Sequence, residues 1–64
     1  MNIKDLRLAA GLTQVELAAE MGTVQSTVSA WESGSSLPSA GLLPKLADTL
    51  HCSIDALYGR DESA

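Results

Sequence analysis

The sequence predicts an all-α protein, a compact bundle of five short helices. Its 64 residues suffice for one small domain. Apolar residues make up 45% of the chain and aromatic residues only 3%. The apolar residues are mainly alanine and leucine, which favour helices over strands. Glycines and cap-forming residues also divide the chain at short intervals, as expected for a series of short helices.

The first helix is predicted to begin after Asn2, a common N-cap residue, and to end at Gly11. Ile3, Leu6 and Ala10 recur at helical spacing and form one apolar stripe. This stripe predicts the face that the first helix buries.

The second helix carries the strongest local signal in the chain. Thr13 and Glu16 have the spacing of a capping box, in which each side chain bonds a backbone N–H at the helix start. Leu12 and Leu17 stand at the two positions of a hydrophobic staple. We expect this helix to end at Gly22.

The third helix follows after a turn of three residues and is predicted to end near Ser33 and Gly34. Apolar residues at spacings of four and three are expected to face the core: Val24, Val28 and Trp31. Uncharged polar residues fall together on another face: Gln25, Ser26 and Ser29. Val24 stands at the N-cap position without a side-chain oxygen, so Thr23 is an alternative cap that would shift the start by one residue.

The fourth helix is predicted to begin irregularly after Ser39 and to become regular from Pro44, because proline disfavours helical geometry at the residue before it. Its inward residues are expected to be Leu43, Leu46, Ala47 and Leu50. Ser53 caps the predicted fifth helix, which ends at Gly59 and carries Ile54 and Leu57 inward. The expected domain is residues 1–59, and residues 60–64 are expected to be a disordered tail.

Composition argues against several classes of protein. No apolar run approaches the roughly 18 residues that span a bilayer, so we expect a soluble, cytoplasmic protein without a membrane partner. The single Cys52 excludes an internal disulfide, and with His51 it is too few for a zinc site, so these two residues are interpreted as a turn. We find no catalytic constellation, and we expect no enzyme activity, small-molecule substrate, cofactor or metal.

The chain resembles the phage repressor and Cro family of helix-turn-helix proteins (the Xre-like family). The resemblance lies in residues 12–18 (LTQVELA), Gly22 and residues 26–34 (STVSAWESG), and it continues through Pro38, Leu46, Ala47, Leu50 and residues 53–57 (SIDAL). It covers about residues 3–58. It implies a lambda-repressor-like DNA-binding domain that controls transcription as a repressor. It also implies a homodimer formed through the C-terminal helix on a palindromic operator of double-stranded DNA.

The resemblance also implies roles for particular residues. Gln14 matches a position that grips a phosphate, and Gln25 matches a base-reading position whose amide suits adenine. The helix at about residues 25–32 would lie in the major groove, where further contacts are expected from Thr23, Ser26, Thr27, Ser29, Ala30, Ser33 and Ser35. Arg7 and Glu32 resemble an ion pair that joins the first and third helices. Tyr58 and Leu57 are candidates for a dimer contact, although burial within the monomer is an equal alternative for Leu57.

Net charge supports a second interpretation, in which the chain is not primarily a DNA-binding protein. Eight acidic residues outnumber four basic ones, giving −4, and polyanionic DNA would be repelled. The loop at residues 35–38 also lacks the Lys or Arg that members of the family often carry there. The alternative is a protein-interaction module of the same fold, antitoxin-like or a regulatory partner. However, Glu32 is the only charged residue between Thr23 and Ser36. The acidic composition therefore predicts weak DNA binding whose affinity depends only slightly on salt concentration, and does not exclude DNA binding.

Overall fold

The computed structural model describes residues 1–59 and confirms the all-α fold. Within these residues the elements are α1 (Ile3–Ala9), α2 (Gln14–Met21), α3 (Gln25–Ser33), α4 (Leu43–Thr49) and α5 (Ile54–Leu57), with a turn of 3-10 helix (Ala40–Leu42) before α4. The described part contains no strand. It also contains no helix that is long and apolar enough to cross a membrane. The tail predicted at residues 60–64 lies outside the described residues.

The start of α1 differs from the expected cap. Asn2 is the N-cap residue, but its side chain makes no capping hydrogen bond, because its backbone (φ −102°, ψ 40°) lacks the extended conformation of a side-chain cap. The backbone N–H of Asn2 instead donates to the carbonyl oxygen of Leu57 at 2.7 Å. This bond ties the first helix to the last.

The turn between α2 and α3 has the predicted form. Thr13 and Glu16 complete a capping box: the Glu16 N–H donates to Thr13 Oγ1 at 3.0 Å and the Thr13 N–H donates to Glu16 Oε1 at 2.8 Å. Gly22 has a φ of 72°, a left-handed conformation that favours glycine, and the N–H of Thr23 bonds the carbonyl oxygen of Ala18. Three residues therefore reverse the chain between α2 and α3.

One apolar core joins all five helices, and its members come from every predicted stripe: Ile3, Leu17, Ala18, Met21, Val28, Trp31, Leu43, Leu46, Ala47, Leu50 and Leu57. Two predictions of burial are wrong, those for Val24 and Ile54, which are 61% and 40% exposed. Val24 precedes α3 in extended backbone, and Ile54 is the first residue of a four-residue helix. Helical periodicity sets side-chain direction only inside a helix, so it does not apply to Val24, and a single helical turn is too short for it to place Ile54 reliably.

The starting residues of α4 and α5 largely agree with those predicted from the sequence. The irregular start before α4 is present as the 3-10 turn, although α4 becomes regular at Leu43, one residue before the predicted Pro44. Ser53 Oγ accepts from the N–H of Ala56 at 3.0 Å and caps α5. His51 forms the turn between α4 and α5 with a φ of 55°.

Candidate nucleic-acid interface

A chain of side-chain hydrogen bonds connects the starts of α2 and α3. Gln25, the first residue of α3, donates from Nε2 to Oε1 of Gln14 at 3.2 Å. Gln14, the first residue of α2, donates from Nε2 to Oε1 of Glu32 at 3.0 Å. The two glutamines singled out in the sequence are therefore neighbours, and each amide has a fixed orientation.

The chain of bonds ends in a buried ion pair between α1 and α3. Arg7 Nε lies 2.5 Å from Oε2 of Glu32, and Arg7 Nη2 donates to Oε1 at 3.2 Å. The side chains are only 9% and 6% exposed. Arg7 Nη1 also donates to the carbonyl oxygen of Leu12 at 2.8 Å, just before α2. One guanidinium thus fixes the relative positions of α1, α2 and α3.

The charge state of Glu32 follows from these contacts. Burial alone would raise the pKa of its carboxyl. The hydrogen bonds from Arg7 and Gln14, with the positive charges of Arg7 and Lys4, act in the opposite direction and bring the pKa below its ordinary value of 4.5. Glu32 is therefore ionised at neutral pH and paired with Arg7.

The other predicted contact residues lie on or beside α3. Four serines are exposed: Ser26, Ser29, Ser33 and Ser35. Three residues are half-buried: Thr23, Thr27 and Ala30. The hydroxyls of Ser33 and Ser35 lie 2.9 Å apart, and Ser33 Oγ also donates to the carbonyl oxygen of Ala30 at 3.1 Å. These two serines stabilise the end of α3, whereas no hydrogen bond occupies the hydroxyls of Ser26 and Ser29 within the described residues.

The surface formed by α3 and its flanking residues is polar and almost uncharged. Between Thr23 and Ser36 the sequence has no Lys or Arg, and its only acid, Glu32, is the buried partner of Arg7. The N-cap residue Val24 makes no side-chain cap bond. The first N–H groups of α3 therefore have no side-chain acceptor. Free N–H donors at a helix start are suited to bind an anion.

The pairing of the two glutamines was not visible in the sequence. Gln14 and Gln25 are 11 residues apart on different helices, and Gln14 and Glu32 are 18 apart. The predicted capping box and the glycine turn could place both glutamines at helix starts. Only the crossing of α2 and α3 brings their amides into contact. The exposure of Val24 beside them was also missed, since its apolar character suggested burial.

Fold and surface together define a helix-turn-helix domain of the DNA-binding class. The chain belongs to the helix-turn-helix family, whose model matches residues 3–57. It is similar to the cryptic phage CTXphi transcriptional repressor RstR of Vibrio cholerae serotype O1 (strain ATCC 39315 / El Tor Inaba N16961), with 43% identity over 54 residues. That match covers 84% of this chain and 48% of the relative, so the chain spans about half the relative's length.

These comparisons confirm the resemblance and the fold that the sequence predicted. The family is one of DNA-binding regulators of transcription and not a class of enzymes. Within residues 1–59, no three His, Cys, Asp or Glu side chains are grouped so that they could hold a metal ion.

Proposed function

We propose that this chain represses transcription by binding double-stranded DNA, with α3 in the major groove. The observation that carries this proposal is the hydrogen-bonded pair Gln14–Gln25, which fixes a base-reading amide at the start of a helix whose exposed face is uncharged. Supporting it, the similar RstR protein is a transcriptional repressor. The function requires access to the chromosome and therefore a cytoplasmic location.

The hydrogen-bonding capacity of the two amides suits this role. Each glutamine amide has two N–H donors and one oxygen acceptor. Gln25 uses one N–H on Gln14, which leaves the second N–H for adenine N7 and the oxygen for adenine N6. Gln14 uses one N–H on Glu32 and keeps the other for a phosphate oxygen at the start of α2. Both amides are held in place before DNA arrives, which reduces the entropy lost on binding.

The proposed surface extends beyond the two glutamines. Ser26 and Ser29 offer hydroxyls to base edges, and the methyl groups of Thr27 and Ala30 offer apolar contact. Thr23, Ser33 and Ser35 flank the helix and would face the phosphate backbone. Within the described residues no cation belongs to this surface, so contacts would depend on amides, hydroxyls and backbone N–H groups, with Lys4 and Lys45 at the margins.

The test begins with selection of binding sites from random DNA, followed by fluorescence anisotropy on the selected site and on scrambled DNA. Gln25→Ala should lose about 1–3 kcal/mol of discrimination at a single base pair. Gln14→Ala should instead weaken binding similarly on all sequences. Ser39→Ala is the control, because Ser39 is exposed and its side chain makes no capping bond. Equal affinity for selected and scrambled DNA would refute the proposal.

Homodimerisation through the C-terminal helix is part of the proposal. Tyr58 and Ile54 are 50% and 40% exposed at α5 and would form the contact, whereas Leu57 is fully buried in the monomer, which favours its role in the core. Two copies on a palindromic operator would read half-sites about 34–36 Å apart. Analytical ultracentrifugation with and without the selected DNA tests this. A single copy on a site without two-fold symmetry would argue against a dimer.

The acidic composition favours one alternative, a protein-interaction module with little DNA binding. Net charge is −4, and the loop at residues 35–38 carries no cation. This alternative would be supported if the chain captured one protein partner at a fixed stoichiometry, if Gln25→Ala did not reduce that capture, and if the chain bound no DNA sequence selectively. Loss of selective DNA binding in Gln25→Ala would support repression.

A further inference from the structure

The four side chains linked across α1, α2 and α3 differ in their ability to donate and accept hydrogen bonds. The guanidinium of Arg7 only donates, and the ionised carboxylate of Glu32 only accepts. The amides of Gln14 and Gln25 each carry an NH₂ group and an oxygen, so each amide can be linked in either of two directions. The charged end of the chain of bonds therefore decides the direction in which both amides are linked.

This direction can be followed from Glu32 to Gln25. Because Oε1 of Glu32 only accepts, Gln14 has to turn its NH₂ group toward it, at 3.0 Å. The oxygen of Gln14 then faces Gln25, which has to turn its own NH₂ group toward that oxygen, at 3.2 Å. The Gln25 amide is thus oriented by a carboxylate that it does not contact.

Glu32 is well held for such a role, whereas Gln25 has little else to orient it. Arg7 donates to both carboxylate oxygens of Glu32, whose side chain is only 6% exposed. Gln25 is exposed, and within residues 1–59 the oxygen of Gln14 is the one hydrogen-bond partner of its side chain. The orientation of the exposed amide therefore depends on the buried one of the two ends.

We propose that Glu32 is a positioning residue for DNA recognition, which acts through Gln14 to orient the Gln25 amide so that its oxygen and its second N–H face an adenine. This inference rests on the proposed function. In the reversed orientation an N–H of Gln25 would face the N6 amino donor of adenine and the oxygen would face the N7 acceptor, so neither bond could form. The Arg7–Glu32 pair thereby sets base preference in addition to the arrangement of the helices.

Glu32→Gln is the direct test, because it reverses the direction of the chain of bonds. The donor-only guanidinium of Arg7 takes the single oxygen of the new amide, whose NH₂ group then faces Gln14. Gln14 turns its oxygen to this group and its NH₂ group to Gln25. Fluorescence anisotropy on the selected operator and on operators with the adenine replaced should show the preference for adenine reduced by about 2- to 13-fold per bound copy, the equivalent of one hydrogen bond.

A second substitution should restore the preference. In Gln14→Glu combined with Glu32→Gln, the carboxylate at position 14 accepts both from the new amide and from the NH₂ group of Gln25, which returns to its original orientation. Affinity for every DNA sequence should fall, because a carboxylate replaces the N–H proposed to bind phosphate. A Glu32 that served only the stability of the fold would give no such recovery of base preference.

Two controls isolate the effect. Glu20→Gln makes the same change at an exposed carboxylate of α2 and should leave the preference for adenine unchanged. Gln14→Ala breaks the chain of bonds and leaves the Gln25 amide free to adopt either orientation, which costs no more than about twofold. Adding Glu32→Gln to Gln14→Ala should therefore have no further effect on base preference.

A measurement on the wild type applies even if Glu32→Gln does not fold, as judged by Trp31 fluorescence. In nuclear Overhauser spectra the side-chain NH₂ protons of Gln14 should contact the CH₂ protons of Glu32, and those of Gln25 should contact the CH₂ protons of Gln14. NH₂ protons of Gln14 that contact both neighbours equally would overturn the inference.

The possible failures are distinguishable. If no DNA sequence is preferred, the proposed function and this inference are both refuted. If Gln25→Ala abolishes the preference for adenine while folded Glu32→Gln retains it, or if Gln14→Glu does not restore a preference lost in Glu32→Gln, the positioning role of Glu32 alone is overturned.

Discussion

Removal of the Glu32 carboxylate should be among the most destabilising single substitutions in this domain. Glu32→Ala deletes both hydrogen bonds to Arg7 and leaves a guanidinium that is 9% exposed without its counter-charge. Breaking a buried pair in this way costs about 3–5 kcal/mol. A domain of 64 residues has a total unfolding free energy of roughly 3–10 kcal/mol at 0.05–0.15 kcal/mol per residue. At the lower end of this range the variant should be largely unfolded at room temperature, and at the upper end it should stay folded but unfold at a much lower urea concentration than the wild type.

The double substitution Arg7→Met with Glu32→Leu measures the interaction between the two charges apart from the contacts that each side chain makes with its surroundings. Replacing both charges by apolar side chains leaves no buried ion, so the double variant should lose much less stability than the two single variants combined. Urea unfolding can be followed by the fluorescence of Trp31, the only tryptophan of the chain, which lies in the core. Glu20→Ala is the control, because Glu20 is exposed and its loss should change stability by less than about 0.5 kcal/mol.

Two results would refute this reasoning. A loss below about 1 kcal/mol for Glu32→Ala would place the pair in the range of solvated surface pairs. Additive losses in the double variant would mean that the two side chains act independently. Either result would remove the ion pair as the element that fixes the relative positions of α1 and α3.

Four further predictions concern acidity, thiol chemistry, capping and salt. The pKa of Glu32 is lowered in the folded protein, so the ionised carboxylate contributes its full stabilisation above the ordinary pKa of 4.5 and loses it as pH falls through the folded pKa. In urea titrations at low pH, Glu32→Gln should therefore lose less stability on acidification than the wild type does. Burial raises the pKa of the Cys52 thiol, so an aromatic disulfide reagent at mildly alkaline pH should react more slowly with the folded chain than with the chain in urea. Thr13→Ala should cost about 0.5–2 kcal/mol of unfolding free energy because the capping box is lost, whereas Ser39→Ala should cost almost nothing; equal losses would contradict the role of the box. The slope of log affinity for DNA against log salt concentration should be no steeper than about −4, because two copies with two lysines each neutralise four phosphates at about −0.9 per phosphate. A slope near −10 would show that more cations reach the DNA.

The helices could be predicted because their ends are local features. The Thr13–Glu16 box, the cap at Ser53 and the left-handed Gly22 each depend on a few consecutive residues and on backbone geometry that those residues favour. Val24 shows where this reasoning fails: its apolar character and its spacing to Val28 indicated burial, but the helix begins one residue after it.

The candidate site was only partly predictable. The family resemblance pointed to Gln14 and Gln25, the capping box placed Gln14 at the start of α2, and the glycine turn placed Gln25 near the start of α3. The bond between them depends on the angle and distance at which α2 and α3 cross, which the packing of the core determines and which no pattern along the chain encodes. Arg7 and Glu32 lie 25 residues apart, and the family resemblance, not periodicity, paired them.

The uncharged surface of α3 has a consequence for the competition between an operator and the rest of a genome. Binding to arbitrary DNA depends almost entirely on cations that neutralise phosphates, and between Thr23 and Ser36 there is none. The roughly 10⁶–10⁹ non-operator positions of a genome would then sequester few molecules of this protein. Most copies would stay unbound and available, so a small number per cell could keep an operator occupied even at modest affinity.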